Sequence, residues 1–473
     1  MAALTAGPAQ AQEKAKAAAP ATPPSAGLFN DYLRGQSDAF KAWDIGGQVR
    51  GRFESRQYYG STAAGDFRRI GGTSNPDNGV LNTRVLLHLG YTPVSWLNFY
   101  VEGRDASSNG DDRPGNPDRD MTDLHQAYVK IGDGKGCPWT IKLGRQELVY
   151  GDERLIGASD WTNTKRSFDA AKIRFENQDI WVDAFVSRVV LARDNVFNND
   201  NTYDTFSGIY ASTKTLIPKQ ETQLYVLARN VEANSTRVTP PGASSRDVYT
   251  VGTRMKSLPG AYGGWDYGLE AAGQFGRWRE TSGPATGTNL SQEAFAGALW
   301  GGYTFKDAFG TPRIGLEYDY SSGDDNAADK THGTFDNLFP TNHKFYGAMD
   351  LLSWQNLHDV KIATQLNPCK GVTMNLDYHS FWLASTSDNF YTVGGARRGA
   401  AAPSGVGYGA NSTKGSYLGS ELDLVVTYAI KPYAVLGMGV GHFFTGQYID
   451  NTFSAVGGAK DANWAYVQMT FSF

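Results

Sequence analysis

The chain has 473 residues, 55 glycines, 13 % aromatic residues and a formal net charge of −4. That balance excludes a bulk electrostatic attraction to nucleic acid, and two cysteines, Cys137 and Cys369, are too few for a disulfide scaffold. No uninterrupted apolar run approaches the ~20 residues of a membrane helix. A hydrophilic average is still compatible with membrane strands, because only every second residue of such a strand meets lipid.

Residues 1–11 read as the tail of a secretory signal ending in Ala9-Gln10-Ala11. Residues 12–42, rich in Ala, Pro and Lys at first, read as a flexible periplasmic lead-in with a short helix near Phe29–Phe40. From Asp44 the pattern turns to period two, the mark of strands with unlike faces. Val49, Gly51 and Phe53 oppose Arg50, Arg52 and Glu54. Val85, Leu87 and Leu89 oppose Arg84 and His88. Leu269 and Ala271 oppose Glu270, and Leu316 and Tyr318 oppose Glu317 and Asp319.

Strands are expected near 44–58, 80–91, 97–105, 124–132, 139–147, 167–175, 179–188, 205–212 and 221–229. They continue near 248–256, 265–276, 292–304, 311–321, 357–366, 371–382, 416–429, 432–443 and 463–473. Residues 343–351 compete as a strand. About 18 strands, an even count, with connections alternating long and short, predict an all-β transmembrane antiparallel β-barrel over 43–473. Its turns would be short on the periplasmic side and its loops long outside. Aromatics beside the short turns (Tyr91, Trp96, Trp139, Phe175, Trp181, Tyr303, Phe305, Tyr428 and Tyr433) read as a girdle at the membrane boundary. The C-terminal Val467, Met469, Phe471 and Phe473 form a lipid stripe. Its terminal Phe resembles the signal read by the barrel-assembly machinery.

Parity places Arg50, Arg52, Arg84, Arg104, Lys142, Lys172, Arg174, Arg229 and Arg254 inward as candidate solute-binding residues. Arg56, Lys130 and Lys256 share that face. Inward acids gather later, at Glu270, Glu317, Asp319, Asp377, Glu421 and Asp423. A wall of Arg and Lys favours anions, and a low-dielectric constriction focuses their field. Loop clusters such as Asp111, Asp112, Asp118 and Asp120 fit no calcium-loop spacing and read as solvated loop. No catalytic constellation, metal site or cofactor motif is legible, with His125, His343 and His379 isolated in sequence. The expectation is a channel, not an enzyme.

Several segments resemble the alginate-export family of outer-membrane porins. They are Ile141-Lys-Leu-Gly-Arg-Gln-Glu-Leu148, the Asp152-Glu-Arg-Leu stretch, Asn337-Leu-Phe-Pro-Thr-Asn-His343, Tyr378-His-Ser-Phe-Trp382 and Gly419-Ser-Glu-Leu-Asp-Leu-Val-Val-Thr427. The resemblance implies an 18-stranded monomeric channel of the Gram-negative outer membrane, in contact with its lipid and lipopolysaccharide. A basic constriction would pass an anionic polyuronate by passive diffusion. It also draws Arg145 into the site, although Arg145 shares the face of Ile141 and Leu143 and turns inward only if Gly144 forms a bulge. A general or other-solute porin is the alternative. An enzyme on a barrel scaffold and a soluble β binding protein are more distant ones.

Overall fold

The computed structural model describes residues 27–68, 76–134, 136–232, 245–280, 287–401, 406–410 and 413–473. The signal remnant expected at 1–11 lies outside them. A helix, α1 (Leu28–Gln36), occupies the region where a short one was expected. It docks at the foot of the first strand, where the Asn30 amide donates to Asp44 and the Ile45 N–H donates back to Asn30.

Eighteen long strands follow. They are β1 (Trp43–Gln57), β2 (Asn78–Val94), β3 (Leu97–Asn109), β4 (Asp120–Ile131), β5 (Trp139–Gln146), β6 (Phe168–Glu176), β7 (Ile180–Val190), β8 (Asp200–Thr213) and β9 (Gln220–Val231). The second half comprises β10 (Arg246–Ser257), β11 (Trp265–Arg279), β12 (Asn289–Thr304), β13 (Arg313–Ser321), β14 (Leu357–Cys369), β15 (Val372–Leu383), β16 (Tyr417–Lys431), β17 (Ala434–Thr445) and β18 (Ala462–Ser472). Each pairs antiparallel with the next, and β1 pairs with β18 from Gln48↔Ser472 to Gln57↔Asn463, which closes the barrel. Closure satisfies every strand edge, as a non-aqueous surround demands. Residues 343–351 form no strand, and begin at the end of a short 3-10 turn (Asn342–Lys344).

Alternation sorts the two faces. Leu87, Leu299, Leu316 and Val440 stand more than half exposed on the outside, where lipid would cover them, while Arg50, Arg84 and Glu421 are buried inside. The girdle forms at the short-turn end, with Trp43 against Tyr91 and Trp139 against Phe175. Trp181 departs from that expectation. It shares the inward face with the buried Asp183 and Phe185, stacks on Tyr210, and carries the Arg174 guanidinium 4.5 Å from its ring. Its position beside a turn mimicked a girdle residue, but its parity puts it in the lumen.

The long loops at the other end do not simply project. Segments 147–167 and 322–356 fold back into the barrel and pack on each other. Ile156 bridges to Phe339, and Leu155, Phe335, Phe345, Tyr346 and Trp354 join inward Phe168 and Phe206 in one buried cluster. The apolar core therefore lies inside the barrel, where loop side chains pack on inward strand residues.

Candidate functional site

The lumen is the candidate site, and its arginines divide by what they touch. On β1 and β2, Arg50 donates to the Asp160 and Thr162 carbonyls, and Arg84 donates to the Asp160 carbonyl and, at 2.9 Å, to its carboxylate. Arg52 donates to the Trp161 carbonyl at 2.6 Å, with its guanidinium 3.8 Å above that ring. On β3, Arg104 pairs with Asp120 and donates to the Thr164 carbonyl. These four side chains clasp segment 147–167 from one side. From the other, Asp152 accepts from Arg254 on β10 at 2.7 Å. Burial works to raise the Asp152 carboxyl, but Arg254 and Lys256 outweigh it and hold Asp152 below its ordinary range.

Arg154 is the centre of this infolded layer. It is buried, pairs with Glu317 and Asp319 on β13, approaches Glu270 on β11, and lies 4.1 Å from the Phe345 ring. One loop arginine thus answers three of the acids expected on the later strands, Glu270, Glu317 and Asp319. The second infolded segment is held similarly. The Ala348 and Met349 N–H groups donate to Asp423 and Glu421, and Trp161 stacks on His343 at 3.8 Å. Arg166 and Arg229 bind further loop carbonyls, and Arg229 pairs with Asp204 at 2.7 Å.

The wall from β4 to β6 differs. Lys130, Lys142 and Lys172 stand directly opposite one another across three strands. Among the described residues no carboxylate lies within ion-pair distance of Lys130 or Lys142, and the Lys142 ammonium instead sits 3.6 Å over the Tyr128 ring. Lys172 and Arg174 share Asp183. All four cations are only partly buried, so this stretch faces open lumen.

The structure thus places nine of the ten expected site residues on the inward face, and Arg145 is the exception. Register runs unbroken through Gly144, with Gly144↔Tyr128 and Arg145↔Ala127. No bulge reverses parity. Arg145 stays on the outward face near the outer rim, bound to Asp169 at 2.8 Å and to the Asn198 carbonyl. Gly144 serves instead at φ +118°, where a Cβ would meet the Ala127 carbonyl oxygen.

Sequence parity missed Arg154, Asp152, Asp160 and Trp161, because loop residues have no period to read. Their signal was a run of charges embedded in an apolar loop, Asp152-Glu-Arg-Leu-Ile156. The Asp-rich loop residues are not simply solvated either. Asp118 and Asp120 are buried counter-ions of Arg113 and Arg104. Nor is His125 isolated in space. Among the described residues, Glu102, His125 and Glu147 bring ligand atoms within 4.8 Å of one another, a spacing a metal could use. Lys165, 2.6 Å from Glu147, and Arg104, on the other ring nitrogen of His125, already answer that negative charge.

The alginate export family model matches residues 42–462, nearly the whole chain. The chain belongs to the alginate export family. No curated protein matches this family member. Its fold is shared with solved outer-membrane porins. Pseudomonas aeruginosa OccK9 (OpdG) superposes with a TM-score of 0.57 at 13 % identity, over 91 % of this chain and 98 % of that one. Acinetobacter baumannii OccAB1 gives 0.57 at 10 %, over 92 % and 97 %. A BenF-like porin from Pseudomonas fluorescens Pf-5 gives 0.56 at 10 %, over 91 % and 98 %. The alginate-export chain is therefore an outer-membrane β-barrel of the porin type.

Proposed function

We propose that this channel passes an anionic saccharide, an alginate-like polyuronate, by passive diffusion along a basic lumen. It works as a monomer in the Gram-negative outer membrane, placed there by the barrel-assembly machinery, with lipid and lipopolysaccharide around it and no nucleic-acid partner. The observation that carries the reading is the partly open cationic wall of β4–β6, where Lys130, Lys142, Lys172 and Arg174 face the lumen. Cations lining a narrow, low-dielectric passage concentrate anions there.

In planar bilayers the channel passes chloride in preference to potassium. Uronate oligomers block that current more at low salt than at high salt, because salt screens exposed charges beyond ~10 Å at 0.1 M. Equal permeability to the two ions, or block indifferent to salt, refutes the anionic-solute reading. A general porin is the second reading, and one observation favours it. Most lumen arginines are already neutralised, Arg229 by Asp204 and Arg254 by Asp152 among them.

A further inference from the structure

We infer that the row Lys130–Lys142–Lys172 is a discrete subsite for a solute carrying two or more anionic groups, placed just inside the periplasmic mouth. The inference rests on the channel reading and adds a position and a charge-spacing rule to it. Register pairs Lys130 with Lys142 and Lys142 with Lys172, all on the inward face. Like charges directly opposite on one face of a sheet repel and destabilise it. Elsewhere in this lumen the cost is removed by a counter-ion or a loop carbonyl, as at Arg52, Arg104 and Arg254.

In this row only the end member has an acid, with the Lys172 ammonium 3.2 Å from Asp183. Lys142 rests on the Tyr128 ring, which attracts a cation without neutralising it. The unanswered charge therefore points to an anion from outside the chain. Adjacent strands lie ~4.8 Å apart, so the row's ends are separated by ~9.5 Å. One carboxylate covers one pair of lysines, whereas an oligomer with an acid on each unit covers the whole row. Strands tilt ~40° to the barrel axis, so a row perpendicular to them climbs the wall instead of ringing it. A chain lying along it is already directed through the pore. Lys130 immediately precedes the last residue of β4, and Lys142 lies three residues into β5, which places the row at the short-turn end.

The test uses the full-length protein in planar bilayers, with glucuronate, a uronate trimer and a neutral trisaccharide added to either side. The trimer blocks at about tenfold lower concentration than the monomer, or lower still, because its second charge binds intramolecularly. Block is stronger from the periplasmic side, and the neutral trisaccharide does not block. Lys142→Gln and Lys130→Gln each collapse the trimer-to-monomer ratio toward one. Both also raise the thermal midpoint, since they remove repulsion. Lys431→Gln, at an exposed periplasmic turn, changes neither. Equal block by monomer and trimer in an anion-selective wild-type channel overturns the subsite and leaves the channel reading intact. So does a trimer preference that survives Lys142→Gln. A wild-type channel without anion selectivity overturns both.

Discussion

On β1–β3 the inward arginines 50, 52, 84 and 104 are at most 5 % exposed beneath segment 147–167, while the inward lysines of β4–β6 remain partly open to the lumen. Both stretches carry the same alternation of cations. The difference is the backbone that folds against them. Asp160, Trp161, Thr162 and Thr164 present carbonyls to the first group, and a guanidinium, with five donors in a planar fork, can hold several carbonyls at once. A lysine is a compact point charge on a flexible stem, which holds fewer fixed acceptors at once. Inward position alone therefore does not identify a selectivity residue. The arginines of β1–β3 tether the infolded layer, and the lysines of β4–β6 stay partly open to the lumen.

Removing the centre of the tethered layer has the largest expected effect. Arg154→Met strands Glu270, Glu317 and Asp319 without their loop cation and costs about 3–5 kcal/mol, as breaking a buried ion pair does. The infolded segments then become protease-sensitive before the barrel melts. Wild-type proteolysis and melting in this variant would show that the layer is anchored elsewhere.

Arg84→Ser and Lys172→Gln separate the two walls directly. Arg84→Ser deletes the donors to Asp160 and Thr162 and costs about 1–3 kcal/mol locally. It raises single-channel conductance and leaves anion preference intact. Lys172→Gln lowers chloride-over-potassium preference and leaves conductance near wild type. If the two variants exchange phenotypes, the division between tethering and selecting walls is wrong.

Acidification loosens segment 147–167 at its tether to β10. Asp152 has a folded-state pKa below its unfolded value near 4, so its stabilisation is complete above that value and is lost as pH falls through the folded one. Conductance fluctuations from segment 147–167 rise below about pH 4, and Asp152→Asn shows them at neutral pH. Channels equally quiet at pH 3 and pH 7 would contradict this linkage. The smallest effect belongs outside both walls. Lys41→Ala breaks only the exposed pair with Asp38 and shifts stability by less than ~0.5 kcal/mol in a melting experiment.

Period two was enough to locate the barrel. Charged Arg50 beside apolar Val49 and Phe53 fixes the two faces of β1, and the structure extends or trims most of the expected strands by only a few residues. The same period put nine of the ten candidates on the inward face, where the structure has them. It was also right about the face of Arg145, and the bulge that the family resemblance needed at Gly144 does not form. Strand parity is a local property of an extended backbone, so sequence determines it wherever one face must avoid lipid. Which inward charge is spent and which stays open was decided by tertiary structure. The loop partners of Arg50, Arg52 and Arg84 lie 76 to 113 residues away, on an aperiodic segment whose return into the barrel follows from burying Leu155, Ile156, Phe339 and Trp354 together. No local spacing encodes that return, because it is a packing decision between two distant loops and a closed wall.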